Sequence, residues 1–170
     1  AINFGIVYGQ GAAGLAASLG ISFKEAKDYI EHYFSVYTGV REWVNETLRS
    51  AEEATMVRTL SGRIRRFPEI RSGGQAAAGA RRAAVNTVIQ GGSADVIKSA
   101  MLKIYPRLDE FGAELLLQIH DELLFELPAG RCTEFAAVVR DVMEHAVALR
   151  VPLAVTVESG PNWQDMETLK

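Results

Sequence analysis

The sequence predicts an α+β fold in which an antiparallel sheet is backed by helices. Three observations carry that expectation. Apolar residues recur at three- and four-residue spacing through most of the first 110 positions. Two short apolar runs flank the charged trio His120-Asp121-Glu122, and Leu153, Val155 and Val157 alternate with Ala154, Thr156 and Glu158 near the end. The chain has 170 residues, 48% hydrophobic and 23% charged, enough for one domain or two small lobes with a buried core.

In order along the chain, Ile2 to Tyr8 is apolar and leads into Gly9-Gln10-Gly11-Ala12-Ala13-Gly14, a literal G-x-G-x-x-G. A dinucleotide site also needs an acid at the end of a second strand, facing the ribose. Asp28 and Glu31 stand near the right distance but fall inside a helix, so the glycines are expected to end one helix and start the next. That helix begins with the capping box Ser22-Phe23-Lys24-Glu25, with Ile21 placed to staple it against Ala26. Phe23, Ala26, Ile30, Tyr33, Phe34 and Tyr37 then form its apolar face, and Thr38-Gly39 should break it. Val40, Trp43, Val44, Thr47, Leu48 and Ala51 mark a second helix.

Thr59 to Phe67 reads as a short hairpin stopped by Pro68, and Ser72-Gly73-Gly74 as a joint between lobes. From Gln75 to about Glu110 the pattern is helical, with Gly91-Gly92 and Pro106 expected to bend or interrupt it. Strands are expected over 114–119 and 123–127, a helix through Phe135 to Val147, and a strand at 153–158.

No apolar run reaches the roughly 18 residues of a membrane span, and no secretory signal is visible. Cys132 is the only cysteine, which excludes an internal disulfide and a zinc site built on several thiolates; a reducing, intracellular setting is the expectation. The first residue is Ala1, not Met, and it lies directly in an apolar stretch, so the chain reads as a piece of a longer protein.

Charge is uneven. Residues 57–82 hold seven Arg and one acid, Glu69, a net +6, so the rest must carry −9 for the overall −3. Arginine forks suit phosphate oxygens. Such a band is either a solvated hairpin surface or a place to hold nucleic acid. His120-Asp121-Glu122 poses a similar pair of readings. Charged residues at a loop tip are cheap when exposed, yet the same tip can aim a carboxylate at a divalent cation such as Mg²⁺. Two such ions about 4 Å apart drive phosphoryl transfer, but one acidic pair cannot complete that site alone.

Asn3-Phe4-Gly5-Ile6-Val7-Tyr8-Gly9, Asn86-Thr87-Val88-Ile89-Gln90-Gly91 and Gln118-Ile119-His120-Asp121-Glu122 together resemble the successive signatures of family-A DNA polymerases, the bacterial DNA polymerase I type. Thr59-Leu60-Ser61-Gly62-Arg63, Pro68, Gly160 and Trp163 also fall where that family has them, so the resemblance covers essentially the whole chain. It implies that residues 1–74 are the last part of the fingers and residues 75–170 a portion of the palm carrying the His-Asp-Glu hairpin.

The resemblance also implies roles. Phe4 flanks the sugar of the incoming nucleotide and Tyr8 packs at the templating base. Asp121 is the catalytic metal ligand, Glu122 its acidic neighbour, and His120 lies near the primer-terminal phosphate. Arg82, Asn86 and Gln90, each four apart, present one helical stripe to the minor groove of the primer–template, where the acceptors are nearly the same for every correct pair. The Arg-rich hairpin at 58–66 lies near the duplex backbone. Partners are then primer–template DNA, deoxynucleoside triphosphates and the missing N-terminal part of the same polymerase, with no membrane. The setting is cytoplasmic, a bacterial nucleoid or a phage-infected cell.

Val88, Gly92 and Ile64 depart from the family's usual Pro, Thr or Ser, and Arg. The family's nucleotide-gripping Arg and Lys, and its second metal-binding Asp, are not among these residues. The two-ion Mg²⁺ site is therefore incomplete here, and the isolated chain is expected to be inactive. The alternative reading is a non-catalytic DNA-binding remnant of the polymerase fold.

Overall fold

The computed structural model describes residues 2–169, with the side chains of Ile2 and Phe4 outside the described set. It is helical with small antiparallel sheets, and it divides into two compact units, Ala1–Gly92 and Ser93–Lys170.

In the first unit, the segment that opens the G-x-G-x-x-G is helix α1 (Ile2–Val7), not a strand. Gly9 turns the chain at φ +83 into α2 (Ala12–Leu19). Its left-handed backbone is one that glycine adopts without strain. Ser22 caps α3 (Phe23–Val36) through the full capping box: the Glu25 N–H donates to Ser22 Oγ at 3.2 Å, and the Ser22 N–H donates to Glu25 Oε2 at 2.9 Å. The break before α4 (Thr38–Ala54) falls at Tyr37, so Thr38 and Gly39 open the next helix and do not end the last. Ile6, Leu15 and Ala26 are buried where α1, α2 and α3 pack, with Ile21 and Ile30 at their edge.

The hairpin is β1 (Met56–Arg58) paired antiparallel with β2 (Ile64–Arg66), followed by a 3₁₀ turn at Pro68–Arg71. Then comes α5 (Gly74–Ile104), 31 residues long. It runs through Gly91-Gly92 without interruption, against the expectation of a break there. The reason lies in packing: a Cβ on Gly91 would meet Thr59 Cγ2 at 2.6 Å. Gly91 is where the hairpin loop approaches the helix most closely, so the small residue serves contact and the helix ladder continues. Ala51, Val57, Phe67, Ile70, Ala80 and Ala84 form the core that joins α4, the hairpin and the start of α5.

In the second unit, Pro106 ends α5 as expected, through a 3₁₀ turn at Tyr105–Arg107 into α6 (Leu108–Phe111). Strands β3 (Glu114–Ile119) and β4 (Glu122–Glu126) form an antiparallel hairpin, and α7 (Cys132–Glu144) packs on it. Phe135 from α7 meets Phe125 edge-on at 5.1 Å between centroids and Phe111 at 5.2 Å. The strand expected over 153–158 is not formed. Leu153, Val155 and Val157 keep the alternation of half-buried and exposed positions, but the strand is confined to Glu158–Ser159 (β5), paired with Glu167–Thr168 (β6), and the Val157 carbonyl just before it accepts from the Leu169 N–H at 2.8 Å. Alternation requires only an extended chain with one covered face, whereas a strand requires a neighbour to bond. In the described residues one of those groups, the Val155 N–H, donates to the Glu144 carboxylate at 3.1 Å. No described helix is long and apolar enough to cross a membrane.

Candidate functional site

Two polar sites stand out, one in each unit. The first is a cleft of about 590 Å³ between the β1–β2 hairpin and α5, lined by Thr59, Arg63, Arg65, Asn86, Thr87 and Gln90 among others. Asn86 and Gln90 are one helical turn apart, so both reach the same side of α5. Gln90 Nε2 donates to the Tyr8 hydroxyl at 2.8 Å, which joins two residues 82 positions apart. The turn at Gly9 lies against Arg82, whose Cγ would be 3.1 Å from a Cβ placed there. The structure thus brings Tyr8, Arg82, Asn86 and Gln90 to one region of the first unit. The side chain of Phe4 lies outside the described residues.

Asn86 Oδ1 is buried and accepts no hydrogen bond among the described residues. A buried acceptor without a donor is costly, and it belongs to a residue that lines the cleft. Arg63 and Arg65 frame the same cleft, although the sequence singled out only their hairpin. Arg63 Nη2 donates to the Gly91 carbonyl at 2.9 Å. Arg65 Nη1 donates to Thr87 Oγ1 at 3.0 Å while its guanidinium lies 5.0 Å from the Phe67 ring centroid. Thr87 in turn donates to the Ala83 carbonyl at 2.7 Å. These contacts hold two cations in place at the cleft.

The basic band is not uniform. Arg71 donates to the carbonyls of Glu52, at 2.5 Å, and Glu53. Those are the last turn of α4, where a cation offsets the helix dipole. Arg81 pairs with the Glu52 carboxylate at 2.7 Å. Both are tied into the frame. Arg66 and Arg82 are exposed, and their side chains make no hydrogen bond or ion pair among the described residues.

The second site is the tip of β3–β4. Register explains its shape. Leu115 pairs with Phe125, but the next pair is Leu117 with Leu124, so Leu116 is an extra residue bulged out of β3. Without that bulge the register would place Gln118 opposite Glu122 and leave a three-residue loop. With it, Ile119 pairs with Glu122, and His120-Asp121 alone make the turn. Two-residue hairpin turns demand a positive φ, for which Gly or Asn is usual. Here His120 takes it, at φ +54. Thr55, at φ +53, does the same at the end of α4, so the angle alone marks a turn and gains interest here only from the carboxylates beside it.

His120, Asp121 and Glu122 are all exposed, Asp121 at the turn and Glu122 as the first residue of β4. Gln118 was not singled out by sequence reasoning, yet its Nε2 donates to the His120 carbonyl at 2.5 Å. Among the described residues no three His, Cys, Asp or Glu side chains converge as a metal site. The carboxylates are hard oxygen donors, and Mg²⁺ is commonly held by one or two of these together with water and phosphate oxygens. Asp121 and Glu122 fit as one part of such a coordination sphere.

A family model described as DNA polymerase family A matches residues 1–165. The chain belongs to that family. It is 46% identical over 165 residues to DNA polymerase I of Deinococcus radiodurans, covering 96% of this chain and 17% of that protein. It is 45% identical over 168 residues to DNA polymerase I of Geobacillus stearothermophilus, covering 97% of this chain and 19% of the relative. Among solved structures it resembles the POL domain of Pol1 from M. smegmatis in complex with DNA primer-template and dNTP. That match has a TM-score of 0.86 and 40% identity, over 89% of this chain and 27% of the other. The chain therefore spans less than a fifth of the length of these two relatives.

Proposed function

We propose that this chain is the end of the fingers, residues 1–74, and much of the palm, residues 75–170, of a DNA-directed DNA polymerase. The parent enzyme adds deoxynucleotides to a primer 3′-hydroxyl in bacterial replication or repair, within the nucleoid or a phage-infected cell. The observation that carries this is the β3–β4 tip, where a bulge and a left-handed His120 present Asp121 and Glu122 to solvent. Family membership and a structural neighbour in complex with DNA primer-template and dNTP support the same reading.

In this mechanism Asp121 is a metal ligand and Glu122 its neighbour, and His120 lies beside the primer-terminal phosphate. Bound Mg²⁺ would supply the Lewis acidity that lowers the pKa of the attacking 3′-hydroxyl and offsets charge on the leaving phosphate. The chain's own part is to hold the duplex. Arg82, Asn86 and Gln90 face the minor groove, where polar groups test pair geometry and leave sequence unread. Tyr8, joined to Gln90, packs at the templating base, and Phe4 flanks the nucleotide sugar. Two carboxylates are too few for a two-ion site, so the 170 residues alone are expected to extend nothing.

Primer extension with Mg²⁺ by the polymerase that contains this sequence, beside its Asp121→Asn variant, tests the proposal. The variant should lose on the order of a thousandfold in rate, equivalent to about 4 kcal/mol of transition-state stabilisation. Extension that survives the substitution would remove Asp121 from the site. A parent that binds primer–template but extends nothing would favour the non-catalytic remnant.

A further inference from the structure

Three features meet at the β3–β4 tip that a solvent-exposed loop does not require. The Leu116 bulge shortens the connection to two residues. His120 occupies a positive-φ conformation that only a few per cent of non-glycine residues adopt, asparagine, aspartate and histidine most often among them. The Gln118 amide, two residues back on β3, donates to the His120 carbonyl at 2.5 Å.

That carbonyl belongs to the peptide plane between His120 and Asp121. The orientation of the plane sets both the ψ of His120 and the direction in which the Asp121 Cα–Cβ bond leaves the turn. A strained two-residue turn has competing conformations close in energy, and a hydrogen bond to the carbonyl of its first residue selects among them. We propose that Gln118 is a positioning residue: it clamps the His120–Asp121 peptide and thereby fixes the direction of the Asp121 carboxylate for a divalent cation. The inference rests on the polymerase reading of Asp121. Gln118 touches no reacting atom in this account, and it acts through the backbone alone.

The test uses the full polymerase carrying this sequence, with Mn²⁺ as a paramagnetic probe. Free Mn²⁺ is counted by electron paramagnetic resonance during titration of the enzyme bound to a 3′-deoxy-terminated primer–template and the next nucleotide, so no turnover occurs. Gln118→Met keeps the length and removes the N–H donor, and Gln118→Leu checks that the result does not depend on the replacement. Residues that orient metal ligands typically change affinity by ten- to a hundredfold, and for this exposed turn about tenfold weaker Mn²⁺ binding is expected. DNA affinity should be unchanged, and the Mg²⁺ concentration for half-maximal extension should rise by the same factor while the rate at saturating Mg²⁺ recovers. Unchanged Mn²⁺ affinity in both variants, beside a normal wild-type titration, would overturn the inference and leave the polymerase reading standing. A wild-type complex that binds no Mn²⁺ in the titration would overturn both. A fall in DNA affinity that matches the fall in extension, with Mn²⁺ binding intact, would make Gln118 a DNA contact and not a clamp.

Discussion

The cleft and the carboxylate turn are built on opposite plans. Around the cleft, most polar side chains already have partners: Arg63 on Gly91, Arg65 on Thr87 and Phe67, Gln90 on Tyr8. At the turn, three ionisable side chains face water, one backbone angle is strained, and a single amide holds the peptide. A surface that grips a polyanion gains from cations fixed in advance, since little side-chain freedom is then lost on binding. A carboxylate that must take a cation and phosphate oxygens gains from open coordination positions, and only its direction needs fixing.

Several substitutions can break or sharpen that contrast. The largest effect is expected at Phe135, 3% exposed and stacked under the hairpin. Phe135→Ala should cost about 3–5 kcal/mol in chemical denaturation. Hydrogen exchange should show the loss concentrated in β3, β4 and α7, with the first unit still protected; uniform loss would show that the two units do not unfold separately. Next is Gly91→Ala, whose methyl group would collide with Thr59 Cγ2, at about 1–3 kcal/mol. Thr59→Ser deletes that Cγ2 and should recover most of the loss in a double-mutant cycle. Gly92→Ala meets only Leu60 Cβ at 3.8 Å and should be neutral or stabilising by up to about 1 kcal/mol, which measurement of the same melts decides.

Among the arginines, Arg65→Met should weaken primer–template binding about fivefold and reduce the salt slope by about one. Arg71→Met should leave that slope unchanged, because Arg71 is spent on the end of α4. Equal slopes for the two variants would erase the distinction drawn within the band. At the α3 cap, Ser22→Ala should cost about 1 kcal/mol. Hydrogen bonds from the Ser22 side chain, and then its backbone N–H, lower the Glu25 carboxyl below its usual value. A lowered folded value stabilises the native state fully above the ordinary carboxylate range and loses that effect as pH falls through it. The stability gap between wild type and Ser22→Ala should therefore narrow under acid conditions, while the part owed to the Glu25 N–H bond to Ser22 Oγ remains.

The local code of the chain was readable wherever one residue type had one physical use. The Ser22–Glu25 box, the stop at Pro106 and the two apolar runs beside His120 each predicted the element the structure contains. Asp121, Glu122, Asn86 and Gln90 stand out as candidates because several motifs occur in order, and their spacing alone would not separate them from surface residues. What was not legible depends on contacts distant in sequence. Gly91 looks like a helix breaker until Thr59 is placed beside it, and Arg71 looks like its neighbours until the end of α4 is placed beneath it. Residues 153–157 alternate as a strand should, but no pattern within them says whether a partner strand is there to bond. The Leu116 bulge, and with it the use of Gln118, follows from register between two strands and leaves no local mark.

The central claim is that the first unit grips duplex DNA while the turn of the second does the chemistry. One set of measurements tests it directly: primer–template affinity and single-turnover extension rate for Asp121→Asn and Gln90→Ala in the same polymerase, at one salt concentration. Asp121→Asn should keep its affinity for DNA and lose the rate, whereas Gln90→Ala should lose affinity or mismatch discrimination and keep most of the rate at saturating DNA. If Asp121→Asn weakens DNA binding as much as it slows extension, or if Gln90→Ala alone abolishes the rate at saturation, the division of work between the two sites is wrong.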